Sequence, residues 1–154
     1  MRLRPVDDAD RAFLVELYAS TREEELAQVE WPEGARETFV EQQFAAQDHH
    51  YRANYPGATL DVIEVDGSPA GRLYVHRGPS DIRIMDIALA PPFRGRGIGT
   101  SLLRSLMDEA DASSRKLSIH VEQNNPALSL YDRLGFLPAG EHGVYVLMER
   151  PPAS

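Results

Sequence analysis

The stretch from Ile82 to Ala112 constrains the fold more than any other part of the chain. An alternating run, Ile82 to Leu89, ends at Ala90-Pro91-Pro92, and the period then becomes helical. Ile98, Leu102, Leu106 and Ala110 recur at steps of four, with Leu103 and Met107 widening the stripe, so a helix is expected from about Gly97 to Ala112. A strand feeding an amphipathic helix through a short loop needs a second layer for that helix to cover. Leu117 to Val121 reads as the next strand, Pro126 to Leu134 as a short helix stopped by Gly135, and Phe136-Leu137 and Val144 to Met148 as the last strands. Upstream, Leu3 to Val6 is a short strand, and Asp7 or Asp8 offers an N-cap for a helix to about Ser20. A longer helix spans about Ala35 to Ala53, after the break at Trp31-Pro32-Glu33-Gly34. Thr59 to Val65 and Ala70 to His76 form a hairpin about Asp66-Gly67. The order βααβββαβαββ predicts an α/β fold (mixed α+β) in which helices pack on the faces of a mixed sheet.

The chain of 154 residues is expected to form one compact domain, residues 1–154. It has no apolar run near the roughly 18 residues of a membrane span, and the start Met1 to Asp8 has no apolar h-region, so export is not expected. No cysteine is present, which excludes a disulfide framework, a thiolate metal site and a cysteine nucleophile, and fits a cytoplasmic protein. The net charge of −8 argues against nucleic acid or an anionic membrane as partner. The charge is uneven, however. Ile87 to Met107 contains Arg94, Arg96 and Arg104 and no carboxylate, which suggests a local anion site or a chance gap in the acids. His49-His50 lacks helical metal-ligand spacing and companion ligands, so no metal is expected.

The chemistry-bearing segment is Leu89 to Thr100, which places Gly95, Gly97 and Gly99 where the strand meets the helix. Glycines there permit positive φ and a close ligand approach. The unsatisfied N–H groups and dipole of a helix's first turn favour a phosphate, and arginines add charge-assisted contacts. A Walker A loop would need Gly-Lys-[Ser/Thr], which is absent, and Gly95-Arg96-Gly97-Ile98-Gly99 fits G-x-G-x-x-G poorly. A glycine-rich turn that binds nothing stays open on this segment alone.

Arg94-x-x-Gly97-x-Gly99 resembles the [Arg/Gln]-x-x-Gly-x-[Gly/Ala] signature of the GNAT acetyltransferase superfamily, at the same strand-to-helix position. Asn124 to Phe136 is similar to that family's Asn-x-x-Ala-x-x-x-Tyr-x-x-x-Gly-Phe block, with Asn124, Ala127, Tyr131, Gly135 and Phe136 in place. The resemblance implies a central mixed, largely antiparallel sheet flanked by helices and an acyl-CoA-dependent N-acetyltransferase. Acetyl-CoA would be the co-substrate. The N–H groups of Arg96, Gly97, Ile98, Gly99 and Thr100 would cradle its pyrophosphate, with Arg94 and Gly95 at the start of the loop. The strand backbone at Ile87, Ala88 and Leu89 would pair with pantetheine, Asn124 and Ala127 would border it, and Tyr131 would direct its hydroxyl at the thioester sulfur.

N-acylation needs a neutral amine, and an amine with a pKa of about 10.4 has to lose a proton at neutral pH. Tyrosine, at about 10, holds a proton for the departing sulfur, so Tyr131 is the expected general acid. Without cysteine, direct transfer in a ternary complex is expected, with a strand N–H near Leu89 polarising the carbonyl. Asp86 and His120 are the candidates for the base, and the resemblance does not choose between them. His120 is equally readable as a hydrogen-bonded sheet histidine. The acceptor would be an amine on a small molecule or peptide. Glu23, Glu24, Glu25, Glu30 and Glu33 near Trp31, Tyr51 and Tyr55 either attract a cationic amine or form a solvated acidic helix end. A homodimer stays open. A non-catalytic acyl-CoA-binding or sensor domain is the alternative function.

Overall fold

Asp66 and Gly67 turn the chain with φ of 52° and 79°, the pair of positive angles that a type I′ hairpin requires. They join β2 (Thr59–Val65) to β3 (Ser68–Arg77). The computed structural model describes residues 1–153. Its other strands are β1 (Arg2–Pro5), β4 (Asp81–Leu89), β5 (Lys116–Glu122), β6 (Leu137–His142) and β7 (Tyr145–Arg150). The helices are α1 (Arg11–Thr21), α2 (Glu23–Ala27), α3 (Ala35–Asn54), α4 (Ile98–Ala112) and α5 (Leu128–Arg133). The strands form a seven-stranded sheet in the order β1-β2-β3-β4-β5-β7-β6. β4 runs parallel to β5, while β1–β2, β5–β7 and β6–β7 are antiparallel. The expected mixed, largely antiparallel sheet with helices is therefore what forms, with one helix, α2, beyond the expected order. Among the described residues no helix is long and apolar enough to cross a membrane.

Two compact units can be described, the first being Met1–Leu73 with Ile87–Arg96. Leu14, Leu17 and Tyr18 of α1 and Phe44 of α3 form its buried cluster, with Ala88 and Ala90 packed against them. Asp7 caps a single 3-10 turn, Asp8–Asp10, through a reciprocal capping box with Asp10, and α1 starts only after it. Asp10, 6% exposed, also accepts hydrogen bonds from Arg4 Nη1 at 2.8 Å and Nη2 at 2.7 Å. Arg4 Nε donates to Glu64 on β2 at 2.8 Å, so one guanidinium ties β1, β2 and the turn before α1 together.

The Arg4 hydrogen bonds hold the Asp10 carboxyl below its usual range, against the upward push of burial. A carboxyl depressed in the folded state stabilises the fold above its unfolded pKa of about 4, and that contribution fades as pH falls through the folded value. Asp10→Asn should therefore cost about 2 kcal/mol at pH 7. In thermal melts the gap to wild type should narrow as pH drops below about 4; a gap independent of pH would refute this electrostatic account.

The second unit comprises Tyr74–Asp86 and the chain from Gly97 onward. Leu102, Leu103, Leu106 and Ala110 of α4 are buried, as are Leu117, Ile119 and Val121 on β5, so α4 covers that strand. Arg77 bridges to Glu109 of α4, and Arg150 of β7 forms a bidentate pair with Asp111 at 2.8 and 3.1 Å.

Candidate active site

After β4 the chain makes one 3-10 turn, Pro91–Phe93, and then enters the glycine-rich loop. Gly95 and Gly97 have φ of +74° and +80°, a region that costs other L-residues about 1–2 kcal/mol. A Cβ built at either would meet no atom within 4 Å, so packing does not impose the glycines. The backbone angle requires them, and they leave open space over the loop. Gly97 is the N-cap of α4, and no side chain caps that helix. Its first N–H groups thus keep their donor capacity and the positive end of the helix dipole.

Arg94, Gly95, Arg96 and Gly97 are exposed, while Ile98, Gly99 and Thr100 are half-buried in the first turn of α4. Arg96 lies 5.3 Å over the Phe93 ring. Arg94 donates through Nε to the Leu89 carbonyl at 2.9 Å and through Nη2 to Ser20 Oγ at 3.2 Å, linking the ends of β4 and α1. Open main-chain donors, a helix N-terminus and two arginines fit a diphosphate ester. Among the described residues no group of three or more His, Cys, Asp or Glu side chains could hold a metal.

The two edges of β4 differ. The Ala90 N–H donates to the Ala70 carbonyl at 2.8 Å, and a Cβ added to Gly71 would come within 2.1 Å of the Ala88 oxygen. Ala88 and Ala90 therefore present their polar groups to β3. Backbone groups alternate along a strand, so those of Ile87 and Leu89 point to the opposite edge. The register of β4 with β5 covers Asp81 to Ile84, and Ile87 and Leu89 lie beyond it. They can pair with an extended ligand as an added strand would.

Tyr131 is fixed by the way its helix ends. Gly135, at φ +94°, follows the C-cap Leu134, its N–H bonds the Asp132 carbonyl, and the Phe136 N–H bonds the Tyr131 carbonyl at 3.0 Å. This is a Schellman motif, whose usual apolar contact joins the third helical residue from the end to the second residue beyond it. Here that contact is Tyr131 on Phe136, edge to face at 5.5 Å. The Tyr-x-x-x-Gly-Phe spacing thus has a structural cause: glycine turns the chain and Phe136, fully buried, clamps the phenol ring. Burial, and after it the charge of Asp86, pushes the Tyr131 phenol up to about 12.

α5 starts at Leu128 with Ala127 as N-cap, later than the expected start at Pro126. The reason is local: Asn125 Oδ1 accepts from the Ala127 N–H at 2.8 Å, an Asx turn that takes up the cap side chain one step early. Asn124 is exposed beside it. The two base candidates lie in different surroundings. Asp86 is close enough to Tyr131 to influence its proton. His120 sits 3.1 Å from Arg83 Nη1 through Nδ1, with His142 edge-on at 5.5 Å. Partial desolvation, then Arg83, then His142 lower its pKa, so it is neutral at pH 7, with its Nδ1 lone pair facing a donor. Ser118, two residues before His120 on β5, is buried and joins Asp81 and Arg83. Sequence reasoning did not anticipate Arg83, Ser20 or the clamping role of Phe136. Only Phe136 carried a signal, its place two residues after the helix.

Known proteins add to this geometry. Residues 13–136 match the family described as the acetyltransferase (GNAT) family. A Bacillus subtilis protein provisionally named as a ribosomal protein bS18-alanine N-acetyltransferase is 38% identical over 96 residues, 60% of this chain and 62% of that protein. The N-alpha-acetyltransferase RimI of Mycobacterium tuberculosis is 33% identical over 110 residues, 71% of this chain and 63% of that protein. The chain thus spans less than two thirds of either relative's length. In fold it is similar to PaiA N-acetyltransferase of Thermoplasma acidophilum, solved with coenzyme A, at TM-score 0.70 and 16% identity over 97% of this chain and 98% of that one. An acetyltransferase from Thermus thermophilus gives TM-score 0.70 and 20% identity over 97% and 96% of the two chains. With residues 13–136 matched by the family model, the chain belongs to the acetyltransferase (GNAT) family.

Proposed function

We propose that this protein transfers the acetyl group of acetyl-CoA to an amine by direct attack in a ternary complex, in the cytoplasm. The observation that carries the reading is the open, uncapped turn through Gly95 and Gly97 into α4. The N–H groups from Arg96 to Thr100 hold the pyrophosphate, with Arg94 at the loop's start. Ile87 and Leu89 pair with pantetheine through the main chain, Ala88 lies between them, and Asn124 and Ala127 border the pantetheine arm. Relatives named as an alanine N-acetyltransferase and an N-alpha-acetyltransferase support an amine acceptor.

In this scheme the neutral amine nitrogen bonds to the thioester carbon, and the charge that develops on oxygen is met by the Leu89 N–H. The C–S bond then breaks, and Tyr131 donates its proton to the sulfur. A phenolate with so high a pKa regains a proton at once, and the amine nitrogen gives up the one that balances the reaction. Asp86 suits the role of proton acceptor, directly or through water, better than His120, because Asp86 influences Tyr131 and the His120 Nδ1 faces Arg83.

Acetyl-CoA and a panel of primary amines, followed by release of free thiol, should show turnover that depends on the amine. Tight CoA binding without thiol release on any amine would overturn the reading in favour of a non-catalytic acyl-CoA sensor.

A further inference from the structure

A cavity of about 360 Å³ lies within the first unit, among α1, α2, α3 and the turn at Trp31. Tyr18, Trp31, Phe39, Leu26, Val29 and Val40 give it an apolar wall. That wall is held in place. Trp31 Nε1 donates to the Leu26 carbonyl at 2.9 Å, and the Trp31 ring lies 5.2 Å from Phe39 at a tilt of 35°. Val29 and Phe39 are 50% and 41% exposed, so the mouth is apolar as well.

The charged groups of the lining are Arg22 and Glu25, and they oppose each other at 3.3 Å, with Arg22 also 5.7 Å over the Tyr18 ring. No net charge is left to attract a polycation. Glu23, Glu24, Glu30 and Glu33 are exposed and do not line the cavity, and Glu23 pairs with Arg36 at 3.2 Å. Tyr51 and Tyr55 do not line it either. Of the five glutamates of the acidic segment, Glu25 lines the cavity, where Arg22 offsets its charge, and the other four are solvated.

α1, which lines the cavity, also packs against the strand proposed to hold the thioester. Tyr18 belongs to the cluster on which Ala88 and Ala90 pack. Ser20, one residue past Ala19 of the lining, receives Arg94, which also holds the Leu89 carbonyl. A cavity of about 150 Å³ suffices for benzene, so this one accommodates a bulky ring or branched chain.

We infer that the acceptor is a primary amine carrying a bulky apolar group, which seats in the Tyr18–Trp31–Phe39 cavity and sets the specificity. The inference rests on the acyl-transfer reading for what happens to the amine, but binding can be tested apart from turnover. Trp31 is the only tryptophan of the chain and lines the cavity, so its emission reports occupancy. With CoA present, phenethylamine should shift Trp31 emission saturably, while ethylamine and spermidine should not at equal concentration. In turnover, kcat/KM for phenethylamine should exceed that for ethylamine and for spermidine by about tenfold or more. Phe39→Ser should lower phenethylamine affinity about tenfold, read from the same emission. A preference for spermidine, or no saturable emission change with phenethylamine, would overturn the inference and leave the transferase reading standing. Saturable binding without thiol release would do the reverse.

Discussion

Replacing Tyr131 by phenylalanine should lower kcat about a thousandfold and leave CoA affinity within about twofold of wild type. The variant keeps the ring that packs on Phe136, so the Schellman turn and the buried contact survive, and only the hydroxyl is lost. The loss therefore falls on the step in which negative charge develops on sulfur. The raised pKa keeps the proton on the phenol at the cost of a weaker acid. A phenol held near 12 by burial and Asp86 stays protonated throughout the neutral and moderately alkaline range. Wild-type kcat should then show no alkaline fall attributable to this group below about pH 10. Proton transfer to a thiolate, whose pKa is about 8.5, is uphill. In the proposed scheme it is completed by reprotonation of the phenolate. Stopped-flow release of thiol from saturated enzyme checks the expectation, and a Phe variant with wild-type kcat would remove the acid role from Tyr131.

Gly97→Asp should weaken CoA binding by about a hundredfold or more, as measured by calorimetric titration. The free protein has room for the side chain, since a Cβ at Gly97 meets nothing within 4 Å. Its only folding cost is the positive φ, about 1–2 kcal/mol. A carboxylate at a helix N-terminus offsets part of that through the dipole. Stability and binding therefore diverge: melting changes by a few degrees while affinity collapses, because the new charge occupies the position of a phosphate. Gly97→Asn tolerates the same backbone angle and adds bulk without charge, so it should fall between the two. If the Asp variant bound CoA as wild type does, the loop from Arg94 to Thr100 would not be the diphosphate site.

The sequence made legible those parts of the fold whose burial is periodic or whose turns have strict angular demands. α4 shows one buried stripe, and Asp66-Gly67 and Gly135 occupy positive-φ positions that few residues accept. α2 escaped because it is five residues long with a single buried side chain, Leu26, too short for a period to show. β6 was foreseen only at its start: all six of its residues are exposed, and Pro138 and Gly140 mark a register shift, so it has neither alternation nor β-formers to announce it. At the site, residue types and spacing pointed to the loop and to Tyr131. What lies across from a side chain is not written in one strand, so the Arg83 partner of His120 and the Asp86 neighbour of Tyr131 came from the sheet and helix packing alone. The acidic segment stayed open between two readings for the same reason, since the sequence alone does not say which glutamates face a cavity.

The unequal edges of β4 bear on how this protein can change over evolutionary time. Donors supplied by the main chain at Ile87 and Leu89 remain whatever side chain those positions carry, proline excepted, so that part of the proposed ligand track is robust to mutation. Gly71 is the opposite: even a methyl group there would collide with the Ala88 oxygen at 2.1 Å. Positions 87 and 89 can thus vary in side chain while the strand itself cannot move. Variation in acceptor preference is accordingly expected in the helices around Trp31, where side chains rather than backbone form the wall.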